Sequence, residues 1–269
     1  MPYAFDHLAL IREVLGRSPL GLITDVDGTM SEIAPNPHQA RVSPPCRRYL
    51  ALLCRRLALV SVVSGRSAAE VRDMLGIEGV VYIGNHGLER WVKNRAELPD
   101  GARYYSGMVK SALRELSSRL SMEGVTLENK GLSLTIHYRL SPEPGMAERE
   151  ILSVLVASDR AKGLRVVRGR LALNLLPLVE INKGTAVLDL MQDYGLQGGL
   201  YLGDDFTDIN AFRAVRSASA SSAFRGLAIG VTSAEMPEGL VLEADLNLSG
   251  VSDVERFLRW LSQNVPRLD

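Results

Sequence analysis

The chain has 269 residues, 46% of them hydrophobic, and its 31 basic and 31 acidic side chains cancel to a formal net charge of zero. That balance lacks the electrostatic footprint of a nucleic-acid or anionic-membrane binder, and no apolar run approaches the about 18 charge-free residues that a membrane span needs. The two cysteines, Cys46 and Cys54, form neither a metal-ligand pattern nor a disulfide framework, which points to a reducing, cytoplasmic setting.

The N-terminal MPYAFDHLALIREVLG carries charges inside its apolar pattern and reads as an amphipathic helix rather than a signal peptide. LGLITDV reads as a first buried strand and LALVSVVSG as a second. Ser67 and Glu70 in SAAEVRDML then spell a capping box for the following helix. VVYIG (80–84) is a third strand. Between 88 and 178 the rhythm changes: strand-like Trp91-Val92, a helical pattern near 102–120, then VTLENKGLSLTIHYR. There Leu132, Leu134, Ile136 and Tyr138 alternate with Ser133, Thr135, His137 and Arg139, which predicts a half-exposed antiparallel strand. Asn129-Lys130-Gly131 fits its hairpin turn. A helix over 144–158 and a second hairpin, LRVVRGRLALNLL, follow.

The first rhythm resumes with a helix over 183–194 closed by Gly195, the strand GGLYLGDD with TDINAFRAV as its helix, and short strands in GLAIGV and ADLNL. Ser252 and Glu255 cap a last amphipathic helix, and SASASSA (217–223) reads as a flexible loop. Alternating strands and helices predict an α/β parallel-sheet core formed by residues 1–87 and 179–269. A smaller α+β insert over 88–178 interrupts it.

Several apolar runs stop at residues suited to phosphate chemistry. The first ends in Asp25 and Asp27, the second in Ser64-Gly65-Arg66, and the fourth in Asp204-Asp205 with Asp208 one turn on; Lys183-Gly184 opens a helix. Loops at the carboxyl ends of parallel strands converge on one crevice, so these groups can meet. Carboxylates without histidine or cysteine partners suit a hard cation such as Mg²⁺, which would relieve the repulsion between Asp25 and Asp27. Ionised Asp25 could then attack phosphorus, while Asp27 protonates the leaving oxygen and later deprotonates water. Ser64 and Lys183 would neutralise the non-bridging oxygens.

In order, DVDGT, SGR, Lys-Gly at a helix start and GDDFTD resemble the four motifs of the haloacid dehalogenase superfamily, whose core is a Rossmann-like sheet. A closer resemblance is to the trehalose-6-phosphate phosphatase family, over about residues 20 to 262. It rests on Asp25–Thr29 running on into Ser31-Glu32-Ile33 and Pro35-x-Pro37, on Gly84-x-His86-Gly87-x-Glu89, on Glu128-x-Lys130-Gly131 with His137-Tyr138-Arg139, and on Asn182-Lys183-Gly184.

The resemblance implies Asp25 as nucleophile and Asp27 as acid/base. It gives Asp25, the Asp27 carbonyl and Asp204 as Mg²⁺ ligands, Asp205 and Asp208 as their support, and Ser64, Gly65 and Lys183 as phosphate binders. The insert then becomes a cap that closes over the site, with Glu128, Lys130, Arg139 and Asn174 on the sugar, joined by Arg66 and His86. Gly84 and Gly87 mark His86 as a hinge into that cap. Its partners are a sugar phosphate and, in the same pathway, a trehalose-phosphate synthase. Asn174 stands where the family usually carries a glutamate, which keeps sucrose phosphate or a mannosyl-glycerate phosphate open as substrate. A signalling receiver, which retains its aspartyl-phosphate, and a silent partner domain of a synthase are readings from other classes. Asp27 and the large insert weigh against the first, and the intact aspartate pair against the second.

Overall fold

The structure is a computed structural model that describes residues 1–92, 94–233 and 238–266. In chain order its elements begin with α1 (Leu8–Leu15), β1 (Leu20–Thr24), α2 (Pro44–Leu53), β2 (Leu59–Val63), α3 (Ala68–Leu75), β3 (Val81–Gly84), β4 (Glu89–Val92) and β5 (Arg95–Glu97). Next come α4 (Ala102–Arg119), β6 (Thr126–Asn129), β7 (Leu134–His137), α5 (Pro144–Val156), β8 (Leu164–Gly169) and β9 (Ala172–Pro177). The chain ends with α6 (Lys183–Asp193), β10 (Gly198–Gly203), α7 (Asp208–Ser219), β11 (Arg225–Thr232), α8 (Glu238–Glu243), β12 (Leu246–Ser249) and α9 (Gly250–Asn264). Among the described residues no helix is long and apolar enough to cross a membrane.

Two compact units result: Met1–Glu97 with Ile181–Asp269, and Leu98–Glu180. The larger unit is built on an eight-stranded sheet of order β12-β11-β10-β1-β2-β3-β4-β5. Strands from β12 to β3 run parallel, and β4 and β5 turn back antiparallel. Central strands read as continuous apolar runs because both faces are covered. Leu20 and Leu22 of β1 pack with Ile11, Leu50, Val71 and Phe257 of α1, α2, α3 and α9. Ile23 faces Val187, Phe212 and Leu240 of α6, α7 and α8.

The chain leaves β1 toward β2 and β3 on one side and returns through β10, β11 and β12 on the other. The strand order therefore reverses between β1 and β10, the place where open parallel sheets hold their ligands. Register aligns Thr24 with Leu202, so the residues that follow each strand emerge side by side.

The smaller unit has one antiparallel sheet, β6-β7-β9-β8, packed on α4 and α5. Leu134, Ile136, Leu173 and Leu175 form the core with Val109, Leu116 and Ile151. The hairpin expected at Asn129-Lys130-Gly131 is present, with Gly131 at φ 83° and its N–H donating to Asn129 Oδ1 at 2.9 Å.

Several local expectations change. Residues 88–97 lie in the larger unit, because β4 pairs with β3 and so extends the main sheet. The smaller unit accordingly begins at Leu98 and ends at Glu180, where residues 88 and 178 were expected. Thr135 is buried rather than half-exposed, its hydroxyl satisfied by Asn174 across the strands instead of by water. Ser217–Ser219 are helical, since α7 runs on through Ser219. Helix α9 starts at Gly250, so Ser252 lies inside it; Asp253 Oδ2 accepts from Ser249 N (3.0 Å), and Glu255 accepts from Ser43. Ser67 caps Glu70 N at 3.3 Å, but the Glu70 carboxylate turns to Arg66.

Candidate active site

Asp25 continues the β1 ladder, donating its N–H to Leu202 O at 2.8 Å, and its carboxyl is buried at the sheet's switch point. The chain then folds back at once: Thr29, Met30 and Ser31 all donate their N–H to Val26 O. Gly28 makes this turn possible. Its φ is 77°, and a Cβ there would stand 1.9 Å from Asp204 Oδ2. Thr29 Oγ1 lies 3.4 Å from Asp204 Oδ1, so the loops after β1 and β10 touch.

Beneath them lies a buried ionic network. Lys183, the first residue of α6, places Nζ 2.9 Å from Asp25 Oδ2 and 2.8 Å from Asp208 Oδ1. The same Asp208 oxygen accepts from Tyr201 Oη at 2.6 Å, and its other oxygen accepts from the N–H groups of Asp204 (3.0 Å) and Asp205 (2.9 Å). Lys183 reaches this point because Asn182 caps α6, accepting from Gly184 N and Thr185 N. Burial pushes the Asp25 carboxyl up to about 7, although Lys183 pulls the other way and Asp208 and Asp27 add to the rise. Burial also opposes the Lys183 charge, but Asp208 and Asp25 outweigh it, and the ammonium sits above its ordinary value. Burial raises Tyr201 well above the usual phenol range, so its hydroxyl keeps the proton it donates.

Asp25, Asp204 and Asp208 offer carboxylate oxygens within 4.8 Å of one another. An ionised carboxylate has about four acceptor positions. Asp208 fills all four with Lys183, Tyr201 and the two backbone N–H groups, so it acts as scaffold. Asp25 and Asp204 remain as candidate ligands. An all-oxygen donor set with buried carboxylates fits a hard cation such as Mg²⁺, whose charge would offset the burial that raises Asp25.

Asp27 points elsewhere. Arg66 holds it bidentately, with Nε 2.6 Å from Oδ2 and Nη2 2.9 Å from Oδ1. Nη2 also donates to Pro37 O (2.8 Å) and Nη1 to Glu70, so the guanidinium expected on sugar is spent inside the larger unit.

Ser64 Oγ accepts from Arg66 N at 3.2 Å, and the His86 ring lies against Gly65. His86 lies inside the larger unit, which continues to Glu97 before the smaller one begins. Asn85 and His86 both adopt positive φ (48° and 58°), a strained state that persists only where the surroundings enforce it. They do: Asn85 N donates to Arg66 O (2.7 Å), His86 N to Ser64 O (3.0 Å), and Asn85 Nδ2 to Glu89 Oε1 (2.6 Å). Glu89 Oε2 in turn accepts from Ala68 N at 2.8 Å.

In the smaller unit Glu128 Oε2 lies 2.7 Å from His137 Nε2 and 3.5 Å from Lys130 Nζ. Arg139 donates to Arg170 O at 3.0 Å. Asn174 accepts from Thr135 Oγ1 (2.8 Å) and donates to Val167 O (3.4 Å), so its amide is engaged within its own sheet. Register puts Glu128, Thr135, Asn174 and Val167 in one row across the four strands.

Sequence reasoning passed over Tyr201 and Glu70. A tyrosine inside an apolar strand was the available signal, because a buried hydroxyl must find a partner. Glu70 was hidden by its fit to a capping box.

A family model described as trehalose-phosphatase matches residues 23–238. The chain is 30% identical over 228 residues to a trehalose-phosphate phosphatase of Mycobacterium tuberculosis (strain H37Rv), covering 80% of this chain and 56% of that protein. It is 33% identical over 214 residues to the Mycobacterium avium protein of the same name, covering 75% and 52%. The chain thus spans about half the length of the curated relatives it matches. Among solved structures, the C-terminal domain of C. albicans trehalose-6-phosphate phosphatase superposes with a TM-score of 0.77 at 18% identity, covering 97% of this chain and 98% of that one, which is a likeness of fold. The chain belongs to the trehalose-phosphatase family.

Proposed function

We propose that the chain hydrolyses trehalose 6-phosphate to trehalose and phosphate, as a Mg²⁺-dependent phosphomonoesterase working through an aspartyl-phosphate on Asp25. The observation that carries this reading is one buried carboxylate, Asp25, gripped by Lys183 at 2.9 Å and clustered with Asp204 at the switch point of the sheet. Asp25, Asp204 and the Asp27 carbonyl would hold Mg²⁺, which when bound supplies positive charge for the phosphoryl oxygens.

The chain's own groups account for the rest. An Asp25 oxygen attacks phosphorus and the ester P–O bond breaks. The electron pair stays on the sugar oxygen, which takes a proton from Asp27. Water then gives a proton to Asp27 and its oxygen to phosphorus, and the bond to Asp25 breaks. Lys183 neutralises charge at Asp25, while Ser64 and Gly65 approach the phosphoryl oxygens from the end of β2. Asp205 stands beside Asp204 in support.

We assign reading of the sugar to the smaller unit, through Glu128, Lys130 and Arg139. With the Asn174 amide engaged by Thr135 and Val167, its replacement of a glutamate need not redirect that choice. The free cysteines accord with a cytoplasmic location, and a trehalose-phosphate synthase would supply the substrate.

Phosphate release should be measured on trehalose 6-phosphate, sucrose 6-phosphate and a mannosyl-glycerate phosphate, with Mg²⁺ or EDTA. Trehalose 6-phosphate should be hydrolysed fastest and only with Mg²⁺, and Asp25→Asn should abolish turnover while leaving the melt cooperative. A faster rate on another sugar would displace the substrate assignment. An Asp25→Asn protein retaining more than about a tenth of the rate would remove Asp25 as nucleophile, since an amide cannot replace that nucleophile.

A further inference from the structure

The Arg66 guanidinium has five N–H groups, and four are committed: Nε and one Nη2 to Asp27, one Nη2 to Pro37 O, and one Nη1 to Glu70. Its side chain is only 6% exposed, against 30% for Asp27 and 27% for Glu70. The cation is therefore buried between two carboxylates that reach solvent.

To serve as proton donor and acceptor, Asp27 must part from Arg66 and turn to the sugar oxygen. With Asp27 as sole partner, that turn would strand a buried, unpaired cation, a strongly unfavourable state. Glu70 changes this. It sits in the first turn of α3, where the helix dipole favours an acid, and Ser67 Oγ fixes its N–H. It also gives up the reciprocal capping bond that its spacing from Ser67 offers, and bonds Arg66 instead.

We propose that Glu70 is a positioning residue. It keeps the Arg66 charge paired, so that Asp27 can leave the guanidinium and return to it within each turnover. This rests on the reading of Asp27 as the acid/base of a phosphatase. Arg66 then parks Asp27, and Glu70 sets how firmly.

The test compares two esters on the same preparations of wild type and Glu70→Gln, at saturating Mg²⁺. Trehalose 6-phosphate has an alkoxide leaving group that needs a proton. p-Nitrophenyl phosphate leaves as a stabilised phenolate and does not. In Glu70→Gln, Asp27 is the only carboxylate left on Arg66, so kcat/KM for the sugar ester, which reports the steps up to loss of the alcohol and not the later attack of water, should fall by about tenfold or more, a fraction of what general acid catalysis contributes. kcat/KM for the aryl ester, whose leaving group needs no proton, should change by less than about twofold, and Glu70→Asp, which keeps the charge, should restore most of the sugar-ester kcat/KM. Partial unfolding lowers both rates alike and cancels in their ratio, so a poorly folded variant still gives a reading. An unchanged ratio in Glu70→Gln overturns the role of Glu70 and leaves the phosphatase reading standing. A wild-type protein that hydrolyses neither ester overturns both.

Discussion

Replacing Asp208 by asparagine separates scaffold from ligand in the acidic cluster. Asp208 accepts from Lys183 Nζ and Tyr201 Oη on one oxygen, and from the N–H groups of Asp204 and Asp205 on the other. An amide keeps one oxygen and sets an NH₂ against the remaining two donors. Two buried donors then lose their acceptor, at about 1–3 kcal/mol each, and Lys183 loses one of its two carboxylates. The expected loss is about 3–5 kcal/mol, the cost of breaking a buried ion pair from one side. For a chain of this size that lowers the melting temperature by roughly 6–20 °C.

The assay is urea unfolding and calorimetry in EDTA, with Asp204→Asn alongside. Asp204→Asn should stay within about 1 kcal/mol of wild type without metal, yet lose the stabilisation that Mg²⁺ confers. The reasoning fails if Asp208→Asn is as stable as wild type in EDTA. It fails equally if that variant's only defect is loss of Mg²⁺ stabilisation, because Asp208 would then be a ligand.

Two further outcomes can be checked with the same instruments. Without metal, burial pushes the Asp25 carboxyl up to about 7, above its unfolded value of 3.8. Proton binding therefore favours the metal-free fold at low pH, and this contribution fades as pH rises toward 7 and Asp25 ionises. Protons compete with the cation below that point, so Mg²⁺ should raise the melting temperature more at pH 8 than at pH 5; an equal shift at both would remove Asp25 from the ligand set. Gly28→Ala puts a side chain at φ 77° with its Cβ 1.9 Å from Asp204 Oδ2. It should cost at least about 1–2 kcal/mol in backbone strain and push Asp204 aside. Thermal melts with and without Mg²⁺ should show no metal shift, and a normal shift would mean that the turn tolerates the methyl group.

Read by itself, the sequence determined the alternation of strands and helices, the existence of an insert, and the residue types at the strand ends. Those signals are local: apolar runs bounded by glycine, period-two alternation in LTIH, and acids at the ends of β1 and β10. Even the hairpin turn at Asn129–Gly131 could be read, because its backbone demands act within a few residues.

What the tertiary structure decided are the pairings among residues far apart in the chain. The order of strands brought Asp25 beside Asp204, and the pairing of β4 with β3 assigned residues 88–97 to the main sheet. Competition among partners settled the charged groups. Glu70 satisfies a capping pattern equally well on paper, but a buried guanidinium is a stronger claim on a carboxylate than the neutral backbone N–H of Ser67. Arg66 reads as a residue for substrate until Asp27 is found in its fork. Asp208 reads as support for the metal ligands, and the four donors that fill its acceptor positions come from Lys183, Tyr201 and the backbone of Asp204 and Asp205. A side chain's type shows what it can bond, whereas which partner it takes depends on what folding has already placed within about 3 Å of it.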